Sequence, residues 1–230
     1  MASKKSRERK RSNPEKKKSL LEKKEFKIGI LLLVAIVVIA AAAILMLGGN
    51  NGDDSNGETP VGNPIAVIDT SMGIIKVELY EDKVPNTVEN FMKLANGGFY
   101  DGLVFHRVMD DFMIQGGGFE TDGTQKQSPY GSIDLEINPE VYHVDGAIAM
   151  ARTNDPNSAT SQFFINDGAQ PSLEPGGVDQ YGYAAFGVVT EGMDVVREIA
   201  ALGPDQTTTK YGMNDWPIDD VIINSITIEN

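Results

Sequence analysis

Cysteine is absent from the chain. Its absence excludes disulfides and a lipid-modified cysteine anchor, so a folded region must be held by its apolar core alone. Positive charge is scarce beyond residue 27: the later residues hold 8 Lys or Arg against 29 Asp or Glu, whereas residues 1–27 hold 12 against 4. Charge of either sign is missing altogether from residues 28–47. The triple glycine Gly116-Gly117-Gly118 is followed by neither a Lys-Ser/Thr pair nor a helix start, which excludes a phosphate-binding loop. The oxygen-rich run Asn154 to Ser158 lacks the spacing of a Ca²⁺ loop and reads as a solvated turn.

These gaps divide the chain. Residues 28–47 form a run of 20 residues rich in Leu, Ile, Val and Ala. As a helix this run reaches about 30 Å, enough to cross a hydrocarbon core. It is longer than a typical signal-peptide core, and Met46-Leu47-Gly48-Gly49 is a poor cleavage site. An uncleaved membrane anchor is therefore expected rather than a removed leader. The basic tail, residues 1–27, should stay in the cytoplasm and leave the acidic remainder outside the cell membrane. Binding of the tail to nucleic acid or anionic lipid is the competing reading, but orientation of the span explains it more simply. Residues 48–63, mostly Gly, Asn, Asp and Ser, read as a flexible tether. Residues 64–230 are long enough for one self-sufficient domain.

Within that domain, Ile65 to Ile68 and the alternating Ile75 to Leu79 read as a hairpin. Pro85 opens a helix with Val88, Phe91, Met92 and Ala95 on one stripe, and Gly97-Gly98 stops it. Strands are expected at Leu103 to Met109, Phe112 to Gln115, Ile133 to Ile137, Gly146 to Ala151, Ser161 to Ile165, Tyr183 to Val189 and Val221 to Ile228. Met193 to Ala200 gives a second short amphipathic helix, and Gly203 to Asp219 reads as irregular. The fold class is mostly β, an antiparallel sheet that either closes into a barrel or packs as a sandwich.

The stretch Phe105 to Gly118 carries the chemistry. It offers a guanidinium, a carboxamide and several large apolar side chains, with no metal cluster and no activated hydroxyl. Alternation places Met113 and Gln115 on one face, with Phe112 and Ile114 on the other. Gln162 and Phe164 likewise share a face opposite Phe163 and Ile165. Two such strands side by side would make an apolar pocket rimmed by hydrogen-bonding groups, with Arg107 as its strong positive charge.

At these residues the chain resembles the cyclophilin family of peptidyl-prolyl cis-trans isomerases. The resemblance rests on Phe105-His106-Arg107, Phe112-Met113-Ile114-Gln115-Gly116-Gly117, Met150-Ala151-Arg152, Ser161-Gln162-Phe163-Phe164-Ile165 and Ala185-Phe186-Gly187, in that order over residues 65 to 230. It implies a closed eight-stranded antiparallel barrel with a helix at each end. It also implies Arg107, Gln115 and Phe112 as catalytic residues. Met113, Ala151, Arg152, Thr153, Gln162, Phe164, Leu173 and Tyr183 would bind a proline-containing segment of an unfolded or secreted protein. No cofactor, metal or nucleic acid is expected, and a monomer is. The competing reading is a proline-peptide binding module with little turnover. Arg152, Tyr183 and Ser172 stand near positions where many eukaryotic members carry Asn, His and Trp, so the resemblance implies weak cyclosporin affinity. His106 is expected to be a structural histidine, because bond rotation removes no proton.

Overall fold

The computed structural model describes residues 62–203 and 205–229. The basic tail, the apolar span 28–47 and tether residues 48–61 lie outside the described residues. Among the described residues no helix is long and apolar enough to cross a membrane.

Eight strands close into an antiparallel barrel. In chain order they are β1 (Ile65–Thr70), β2 (Gly73–Leu79), β3 (Val104–Met109), β4 (Met113–Gly116), β5 (Ala147–Met150), β6 (Phe163–Asn166), β7 (Ala185–Glu191) and, after a separate hairpin of β8 (Thr207–Lys210) and β9 (Met213–Pro217), β10 (Val221–Glu229). Around the barrel the order is β1-β10-β3-β4-β6-β5-β7-β2, and β8 pairs only with β9. Closure settles the choice between barrel and sandwich by leaving no strand of the eight with a bare edge. Ala66, Ile68, Ile75, Val77 and Leu79 alternate inward from β1 and β2 and are fully buried.

Two helices complete the core. In α1 (Pro85–Asn96), Pro85 occupies the first turn, where its missing N–H costs no intrahelical bond. Its buried stripe is Val88, Phe91, Leu94 and Ala95. Phe91 packs against Tyr100, Phe163 and Phe186 at ring separations of 5.4, 5.6 and 5.2 Å. Truncating a ring so enclosed costs about 3–5 kcal/mol. In α2 (Met193–Ala200), Val196, Ile199 and Ala200 join the same core.

Two expectations fail. Ile133 to Ile137 is not a strand; only Ile133 bridges Ala159. The Glu136 carboxylate instead accepts the Thr87 N–H (2.9 Å) and hydroxyl (2.8 Å) at the start of α1. That helix has no side-chain cap of its own, so the segment is drawn off as a substitute cap. Gly203 to Asp219 is not irregular either, because β8 and β9 form a hairpin there. Its Thr, Asn and Asp composition hides a strand signal that tertiary docking supplies.

Candidate active site

Arg107 reaches the barrel's outer face because β3 is bulged. Phe105 pairs with Gly116 and Arg107 with Gln115, so two steps on β3 match one on β4. His106 is the extra residue. Phe105 and Val108 both enter the barrel core, an odd separation that strict alternation forbids and a bulge permits. The guanidinium of Arg107 thereby faces the same side as Gln115, its partner across the ladder.

β4 and β6 run side by side with Gln115 opposite Phe164 and Ile114 opposite Ile165. Phe163 and Ile165 enter the barrel core, while Phe164 turns outward into a second apolar cluster with Met113, Leu173 and Ala185. Phe112 does not take the Ile114 side as alternation suggested. It precedes the strand, and Asp111 has a positive φ of 57°, so the turn swings Phe112 beside Met113.

The result is a slot of about 140 Å³ lined by Phe112, Met113, Phe164 and Leu173 at its apolar part and by Arg107 and Gln115 at its polar part. Ala151, Arg152 and Tyr183 complete it. Gln115 Nε2 donates to Gln162 Oε1 at 3.0 Å. Gln162 and Thr153 lie outside the slot itself, in an adjoining recess of about 260 Å³ that shares Gln115, Ala151 and Arg152 with it. All eleven residues expected from the sequence thus fall in one continuous cleft.

Glycine makes the approach of the strands possible. Gly117 has φ +79°, and a Cβ there would meet the Tyr100 and Phe163 rings at 2.9 and 3.0 Å. A Cβ at Gly118 would meet the Gln162 side chain at 2.5 Å. The triple glycine is a packing device beside the cleft.

Arg152 is placed in the slot, and its guanidinium is engaged by the protein. Nε and Nη2 donate to the Gly182 carbonyl at 3.1 and 2.7 Å, Nη1 donates to Thr153 O at 2.9 Å, and Nη2 also donates to the Asp179 carboxylate. The guanidinium lies 4.4 Å from the Tyr183 ring centre. Its hydrogen bond to Arg152 holds the Asp179 carboxyl below its ordinary range.

Sequence reasoning missed the role of His143. Its ring stacks on Phe164 at 6.0 Å and 8°, its Nε2 lies 3.0 Å from Tyr183 O, and its N–H donates to Glu174 Oε1 at 2.7 Å. It backs the slot from behind, and burial lowers its pKa. His106 is buried beside Phe119 and Trp216. Burial first, and the Arg107 charge as well, push its imidazole down to about 4, so it is neutral at ordinary pH. Asp110, Asp111 and Asp167 bring carboxylate oxygens within 4.8 Å at the β3–β4 turn. Asp167 Oδ2 accepts the Asp111 N–H at 3.1 Å, and burial raises its pKa.

The family model for cyclophilin-type peptidyl-prolyl cis-trans isomerases matches residues 65–228. The chain belongs to the cyclophilin family. This cyclophilin is 46% identical over 166 residues to a peptidyl-prolyl cis-trans isomerase of Streptomyces antibioticus, covering 70% of this chain and 96% of that one. It is 42% identical over 162 residues to peptidyl-prolyl cis-trans isomerase B of Escherichia coli, covering 69% and 96%. Among solved structures it is similar to a cyclophilin of Cryptosporidium parvum crystallised in the presence of the dipeptide Ala-Pro, with a TM-score of 0.60, 30% identity, and coverage of 72% of this chain and 99% of that one. The cyclophilin is accordingly a peptidyl-prolyl cis-trans isomerase.

Proposed function

We propose that this cyclophilin is anchored in a cell membrane by residues 28–47 and accelerates X–Pro rotation in protein chains folding on the outer side. Rotation about an X–Pro bond must break amide resonance, a barrier of about 18–20 kcal/mol, and needs neither nucleophile nor proton transfer. The single observation that carries the catalytic reading is the Arg107 guanidinium across the ladder from Gln115, at the mouth of the slot that Phe112, Met113, Phe164 and Leu173 enclose. The proline ring occupies the apolar end. As the imide twists, the prolyl nitrogen regains its lone pair, and a guanidinium donor aimed there gains strength only toward the transition state. Gln115 holds the substrate carbonyl. Gln162 and Thr153, with the backbone of Ala151 and Arg152, seat the residues before proline. The cyclophilin acts as a monomer on proline-containing segments.

A protease-coupled proline-peptide assay on residues 60–230 tests the roles. Arg107→Ala should lower kcat by about a hundredfold, the scale for removing one transition-state donor. A wild type no faster than this variant would leave a proline-peptide binding module. Location is tested separately in a chain that lacks cysteine. A cysteine introduced at Ser55 should react with a membrane-impermeant maleimide in intact cells, and one at Ser3 should not. The reverse pattern, or equal labelling, refutes the topology.

A further inference from the structure

The β8–β9 hairpin stands outside the barrel, yet it is firmly fixed to it. Trp216 is fully buried, packed against His106 at 6.0 Å and Phe119 at 6.1 Å, and its Nε1 donates to Asp220 Oδ1 at 2.8 Å. Tyr211 Oη donates to Thr121 O at 3.0 Å. The residue before Trp216 is Asp215, held at φ +60°. Asp and Asn tolerate that conformation better than other side chains.

Anchored this way, Asp215 Oδ2 lies 3.6 Å from Arg107 Nε. Arg107 Nη2 donates to Met109 Sδ at 3.1 Å, so the guanidinium is held from two directions. Both members of the ion pair are about two-fifths exposed, 41% for Arg107 and 38% for Asp215. Asp215 also lines a recess of about 550 Å³ that shares Arg107, Gln115 and Arg152 with the proline slot. The charge of Arg152 is already matched by Asp179. A substrate leaving the slot on this side therefore meets the Asp215 carboxylate within the screening length of roughly 8 Å at physiological salt.

We propose that Asp215, carried to the edge of the cleft by the β8–β9 hairpin, is a positioning residue for Arg107 and makes the isomerase prefer basic over acidic residues flanking the substrate proline. Its carboxylate restrains the guanidinium from the recess that adjoins the slot. A flanking Lys gains attraction from the same carboxylate, and a flanking Glu is repelled. The pair is too wet to neutralise Arg107, and each effect is on the scale of a partly exposed ion pair, about two- to fivefold in rate.

The test compares the full chain with its Asp215→Asn variant, which keeps shape and backbone preference while removing the charge. Substrates are three proline peptides differing only in a flanking Lys, Glu or Ala. Asp215→Asn should lower kcat on the Ala peptide about two- to fivefold and bring the Lys/Glu ratio of kcat/KM close to one. In the wild type that ratio should exceed one and shrink as salt rises to about 1 M. The chain has one tryptophan, so Trp216 emission reports whether the hairpin stays docked. Unchanged kinetics in Asp215→Asn with unchanged emission would overturn the proposal. A wild-type Lys/Glu ratio that is one, or indifferent to salt, would overturn it without any variant. Because this role presupposes Arg107 as the catalytic group, Arg107→Ala is run beside it. Activity surviving in Arg107→Ala refutes the catalytic assignment; activity lost there but intact in Asp215→Asn refutes the role of Asp215 alone.

Discussion

Arg152→Met keeps most of the apolar stem of the side chain and deletes every donor. The Gly182 carbonyl, buried and bonded to both Nε and Nη2, would be left without those partners. An orphaned buried carbonyl costs about 1–3 kcal/mol. The guanidinium's contact with the Tyr183 ring is worth about 0.5–2 kcal/mol more. Asp179 is too wet to add to this. A loss of about 2–3 kcal/mol is expected, and with a urea slope of about 2 kcal/mol per molar the midpoint should fall by roughly 1–1.5 M. The damage is directed. The loop that Arg152 latches runs from Leu173 to Tyr183, both slot residues, and is closed at its base by Tyr183 N–H donating to Leu173 O at 3.1 Å. Loosening it should raise KM several-fold while kcat changes less, because Arg107 sits on β3 and is untouched. Urea unfolding followed by Trp216 emission and steady-state isomerisation measure the two quantities. A midpoint within about 0.3 M of wild type would show that Arg152 is not a latch. An unchanged KM would show that the loop does not shape the slot.

Three further outcomes are expected. Gly118→Ala places a methyl against Gln162 and should displace it from Gln115, raising KM with little loss of stability; a wild-type KM would show that the Gln115–Gln162 bond is dispensable. His106, with a folded pKa of about 4 against 6.5 in its ordinary state, takes up a proton in the unfolded chain before the folded one. The penalty for burying its charged form is therefore absent above pH 6.5, and stability falls as pH drops from there to about 4, by about 3 kcal/mol in all. A His106→Phe variant should lose less stability between pH 7 and 4.5 than the wild type, and equal losses in urea titrations would contradict this. Cyclosporin should bind weakly, since Arg152, Tyr183 and Ser172 stand near positions where many eukaryotic members carry Asn, His and Trp. Nanomolar inhibition would refute that expectation.

The barrel strands were legible where side chains alternate between core and solvent. β1, β2, β10 and both helices lie within two residues of their expected bounds, because periodicity reports which face is buried. It misled at Ile133 to Ile137, where alternation serves an extended segment whose Glu136 caps α1. It also misled at Phe112, which lies in the turn rather than on β4. The bulge at His106, which turns Arg107 outward, changes no residue type in a way that a single sequence reveals.

The residue types fixed the chemistry: one guanidinium and two carboxamides among large apolar groups, in a chain without cysteine, on a segment distinct from the basic tail and apolar span. Those features are local and follow from composition and spacing. The closed barrel was already implied by the family resemblance, and the structure bears it out. Tertiary structure alone decided that Arg152 is spent on Gly182 and Tyr183 rather than left open to substrate, and that Asp215 stands 3.6 Å from Arg107. Asp215 and Arg107 are far apart in the chain, and nothing in the irregular-looking run Gly203 to Asp219 signals their meeting. Burial of Trp216 against His106 and Phe119 brings them together, and that contact exists only once the barrel has formed.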